Sequence, residues 1–142
     1  MRILSFDTST PDVQIALLED VSGEVVTVAS LRISPADSSR QESASKLIPS
    51  IDQILKENRW RKTDIDLVVA GVGPGSFTGA RVSVITARSL GQGLVLGVLP
   101  ICTLELLARR CVRPVAVISS GGAGHYFAAT YAPDLNAPAM LP

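Results

Sequence analysis

Apolar residues come first in short bursts separated by polar breaks, and then settle into helical spacing. Arg2–Asp7 is a β-rich run, and Asp7-Thr8-Ser9-Thr10-Pro11 ends it with turn chemistry. Val13–Glu19 alternates in part, Ser22-Gly23 offers a hairpin turn, and Val25–Ile33 alternates again. These runs predict an antiparallel three-stranded meander. Ser34–Ser45 is polar and contains Pro35, so it reads as a loop. Leu47, Ile48, Ile51, Ile54 and Leu55 then recur at the spacing of one helix face. Pro49 lies inside that pattern, which a helix accepts in its first turn or at a bend.

Ile65–Val72, apolar apart from Asp66, reads as a buried strand. Gly73–Gly79 makes a sharp loop, and Ala80–Leu94 follows in helical order. Val95–Leu99 reads as a short strand, Thr103–Arg110 as a short helix, and Val115–Ser119 with Tyr126–Tyr131 as a hairpin. Three prolines predict a loose tail over Pro133–Pro142. The order of elements predicts an α/β mixed sheet flanked by helices over residues 1–112. Residues 113–142 read as the start of a second unit plus that tail.

Composition narrows this picture. The 142 residues are 46% hydrophobic but only 4% aromatic, so the core must be aliphatic. A formal net charge of zero gives no global field for nucleic acid or anionic lipid. The cations Arg59, Arg61 and Lys62 around Trp60 read as a solvated helix end. Cys102 and Cys111 have no metal-type spacing, and no apolar h-region follows Met1. Both points predict a cytoplasmic protein.

Two segments could carry chemistry. Asp7-Thr8-Ser9-Thr10 places a carboxylate beside three hydroxyls, a set that can hold a phosphate or a magnesium-bound water but that by itself reads first as a hydrogen-bonded turn between strands. Gly71–Arg81 joins a strand to a helix, where anion sites occur. It lacks the lysine of a phosphate-binding P-loop, and Ser76 stands where a dinucleotide fingerprint wants glycine. Its amides with Ser76 or Thr78 face a ligand, or its glycines only permit a tight turn. His125 is the single histidine, and no H-E-x-x-H or nucleophile-elbow string is present, so nucleophilic and metal catalysis find no support. The helix over 80–94 is apolar or small on nearly every side, as in a helix wedged inside its domain or one that meets a second subunit.

Ile3–Thr10, Leu47–Leu55 and Gly71–Arg81 stand in the order and spacing of the TsaB (YeaZ) family, which the chain resembles over about residues 2–131. The string Gly-Pro-Gly-Ser-Phe-Thr-Gly-x-Arg is the most specific element. The resemblance implies an actin-like ATPase (ribonuclease H-like) lobe, with the second lobe largely missing. It implies a non-catalytic scaffold for TsaD, the catalytic homologue, joined by the ATPase TsaE. That assembly places threonylcarbamoyl on N6 of adenosine 37 in tRNA. ATP and magnesium would act in the partner subunits, so no cofactor is expected here, and tRNA would be met through the complex. Alone, the chain would form a homodimer through the face that meets TsaD. By position, Leu47, Ile48, Ile51, Val82, Ile85 and Ser89 become interface residues. Asp7, Thr8, Ser9, Gly73, Gly75 and Ser76 become a vestigial nucleotide cleft. The family's His-Ser-Glu is replaced by Ser43-Ala44-Ser45, and its Asp-Ala-Arg and Glu-Val-Tyr by Ser119-Ser120-Gly121 and Gly124-His125-Tyr126. These departures weaken two alternatives, an ATP-dependent phosphotransferase or carbamoyltransferase of the same fold and a glycoprotease-like peptidase.

Overall fold

The alternating runs at the amino end form the meander: β1 (Arg2–Asp7), β2 (Val13–Val21) and β3 (Glu24–Ile33). Ser22 and Gly23, with φ of 57° and 89°, make the two-residue turn, and the Asp20 carboxylate accepts the Gly23 amide at 2.8 Å. In this computed structural model residues 1–34, 42–112, 114–122, 124–132 and 138–140 are described. β4 (Leu67–Gly71) runs parallel to β1, and β5 (Gly97–Ile101) parallel to β4, giving the order β3-β2-β1-β4-β5. Parallel neighbours need crossovers, supplied here by α1 (Glu42–Glu57) and α2 (Phe77–Leu94).

Both helices lie on one face of this sheet. Leu4, Phe6, Val13, Ile15, Leu17, Val68 and Ala70 point toward them and bury Leu47, Ile51, Ile54, Leu55 and Ala87, with Trp60 and Ile65 closing one end. Burial of this kind is worth about 2 kcal/mol per large aliphatic side chain. It also explains Pro49. The helix begins at Glu42, so Pro49 lies well inside α1 rather than in its first turn. Packing of the apolar stripe offsets the lost amide bond, as tertiary contacts rather than propensity hold most helices. The opposite face of the sheet, with Ile3, Ser5, Ala16, Leu18, Val69 and Ile101, lines an open concavity of about 510 Å³.

β5 starts two positions later than the apolar run suggests. Val95, at φ 57°, is the left-handed cap of α2, and its amide bonds back to the Gly91 carbonyl. After β5, α3 (Thr103–Ala108) packs Leu104 and Ala108 on Val117, Ala129 and Tyr131 of a second sheet, β6 (Val115–Gly122), β7 (His125–Tyr131) and β8 (Pro138–Met140). The loose tail expected over Pro133–Pro142 is corrected at Pro138–Met140, which pairs antiparallel with β7. An open strand edge carries amides and carbonyls that need partners, and an edge strand tolerates proline. The rest of that tail, 133–137 and 141–142, lies outside the described residues. Among the described residues no helix is long and apolar enough to cross a membrane.

Candidate functional site

The end of β1 is tied down by hydrogen bonds to α2, α3 and the loop before α2. Asp7 is buried, and its two carboxylate oxygens are separately engaged: one accepts the Ser9 amide at 2.6 Å, the other the Thr103 hydroxyl at 2.9 Å. Since Thr103 gives its proton to Asp7, the 2.9 Å contact between Ser9 Oγ and Thr103 Oγ1 has Ser9 as donor. Thr8 donates its hydroxyl to the Gly79 carbonyl at 2.6 Å and its amide to Ser83 Oγ at 3.0 Å. Ser83 Oγ returns a proton to Thr8 Oγ1 at 2.9 Å. Ser76 caps α2 by accepting the Gly79 amide, and its own amide donates to the Ser9 carbonyl at 2.7 Å. The Gly73 carbonyl, beside the cis Gly73–Pro74 bond, accepts the Thr103 amide at 2.8 Å.

The glycines make this closeness possible. A β-carbon on Gly71 would overlap the Asp7 carboxylate, one on Gly75 the Ser9 carbonyl, and one on Gly79 the Thr8 carbonyl. Close approach of backbone to backbone is the use of glycine here. A phosphate would need these same groups as donors. The Thr8, Ser9 and Ser76 amides and the Thr8 and Ser9 hydroxyls are committed inside the protein. Each Asp7 oxygen likewise accepts one of these internal hydrogen bonds. The space beside them, bounded by Thr8, Ser9, Thr10, Pro11, Ser76, Gly79, Ser119 and Ser120, measures about 130 Å³.

α2 is turned inside out relative to an ordinary amphipathic helix. Its buried positions are Gly79, Ser83, Ala87 and Gly91, one every four residues, which lets its backbone come close to the sheet. Larger apolar side chains point outward: Phe77 is 74% exposed and Ile85 59%, with Ile48 of α1 at 52%. Residues 27–135 match the family described as TsaD: tRNA N6-adenosine threonylcarbamoyltransferase. The tRNA threonylcarbamoyladenosine biosynthesis protein TsaB of Escherichia coli is 34% identical over 77% of this chain and 43% of its own length. The fold of YeaZ from Pseudomonas aeruginosa superposes with a TM-score of 0.76 at 25% identity, over 99% of this chain and 64% of that one. The chain belongs to the TsaB (YeaZ) family.

Its fold is the single ribonuclease H-like lobe of that family; RuvC of Thermus thermophilus shares it with a TM-score of 0.51 at 6% identity, over 75% of this chain and 66% of that one. The chain spans about half the length of the curated relatives it matches, 58% of a Mycobacterium tuberculosis protein and 43% of E. coli TsaB. In this TsaB-family chain the residues expected in a cleft, Asp7, Thr8, Ser9, Gly73, Gly75 and Ser76, do come together, but bonded to one another and to α2 and α3. Those expected at an interface divide. Ile48, Ile85 and Ser89 are exposed, and Val82 is partly buried against the core. Leu47 and Ile51, at 0% and 4% exposure, are corrected to core positions, because the inner side of α1 faces β2 and β3.

Sequence reasoning misses Ser83 and Thr103, although both complete the bonding around Asp7 and Thr8. The four-residue spacing of Gly79, Ser83, Ala87 and Gly91 is the signal that marks Ser83 as inward. Two cations of the basic cluster, Arg61 and Lys62, lie against neighbouring acids. Arg61 bonds Asp64 at 2.7 Å, Lys62 lies 3.5 Å from Asp52, and Arg2 stacks over Trp60 at 4.8 Å. The hydrogen bond from Arg61 holds the Asp64 carboxyl below its ordinary value, and Lys56 does the same for Asp52. His125 is exposed at the start of β7. Among the described residues no three His, Cys, Asp or Glu side chains gather as a metal set.

Proposed function

We propose that the chain is a non-catalytic partner of a TsaD homologue in threonylcarbamoylation of N6 of adenosine 37 in tRNA, docking through the outer face of α1 and α2. One contrast carries this reading: the groups that could do chemistry are taken up by internal bonds, while Phe77, Ile85 and Ile48 are turned to solvent. Exposed apolar clusters of this kind mark association surfaces. The name of the E. coli relative supports the pathway. Residues 1–112 act as the docking lobe and 113–142 open a second lobe. With zero net charge the chain reaches tRNA through the complex, in the cytoplasm, where TsaE joins and supplies the ATPase. A second copy of the chain is the competing occupant of the same face.

The test is complex formation with the TsaD homologue of the same genome, followed by gel filtration with mass detection. A one-to-one complex is expected, lost in Ile48→Glu and Ile85→Glu while both variants keep the parent's circular dichroism. ATP turnover by the isolated chain, or an unaltered complex with both variants, overturns the reading. Ile51→Glu is unsuitable for this purpose, since a buried carboxylate unfolds the lobe.

A further inference from the structure

We draw no further inference here: the strongest candidate, the apolar concavity on the open face of the five-stranded sheet, lined by Ile3, Ser5, Ala16, Leu18, Val69 and Leu106, carries none because nothing in the structure shows what covers it.

Discussion

Gly79 shows how much of this fold rests on single α-carbons. Its missing side chain leaves room for the Thr8 carbonyl, and its own carbonyl takes the Thr8 hydroxyl. A methyl group there meets backbone, which cannot rotate away. Gly79→Ala is expected to cost about 3 kcal/mol, read as a fall in the urea midpoint. At Gly93, on the same helix, an added β-carbon would meet nothing within 4 Å. Gly93→Ala should stabilise the protein by about 0.5 kcal/mol and raise the midpoint, since alanine loses less backbone entropy in a helix. Equal effects from the two would show that α2 does not sit against β1 as described. At this scale the sequence is ambiguous for a physical reason. Asp7-Thr8-Ser9 is visible as an acid-and-hydroxyl turn, but whether it faces a ligand or the protein depends on Ser83 and Thr103, 75 positions from Thr8 and 96 from Asp7.

Elements are easier to read than their ends. Periodicity locates both long helices, but α1 begins earlier than its apolar stripe because a polar first turn adds nothing to the pattern. α2 runs on to Leu94 and stops at Val95, a β-branched residue in left-handed geometry and 91% exposed. Such a residue carries a steric penalty that glycine does not. Val95→Gly should therefore stabilise the protein by about 1 kcal/mol and raise Tm by several degrees in calorimetry. A lower Tm would place the end of α2 elsewhere. The faces of α2 are harder still. Large apolar residues ordinarily mark the buried side, and here small ones do. Leu47 and Ile51 belong to the core rather than to an interface because α1 is conventional, with its strongest apolar positions inward.

For the molecule as a whole, the order of meander and crossovers makes the five-stranded sheet legible, since parallel pairing after a hairpin allows few topologies. The join between the two sheets is not legible in this way. Thr103 opens α3, which carries the second sheet, and its hydroxyl bonds Asp7 and Ser9 at the end of β1. Thr103→Val keeps the shape and removes that hydroxyl, leaving Asp7 and Ser9 short of a partner at about 2 kcal/mol. Hydrogen exchange is expected to quicken in β6 and β7 while β1 and β2 stay protected. Uniform change across both sheets would mean that Thr103 is not the link.

The inward small-residue stripe of α2 has an evolutionary corollary. Where the side that holds the fold and the side that meets other molecules use different residues, the two can drift at different speeds. Gly79, Ser83, Ala87 and Gly91 have almost no room to change. Ile85 and Arg88, outside the glycine-rich string, can be rewritten with little penalty to folding. Lineages built on this lobe are thus able to exchange companions by altering one strip of surface, and homologues should differ most where they touch something else.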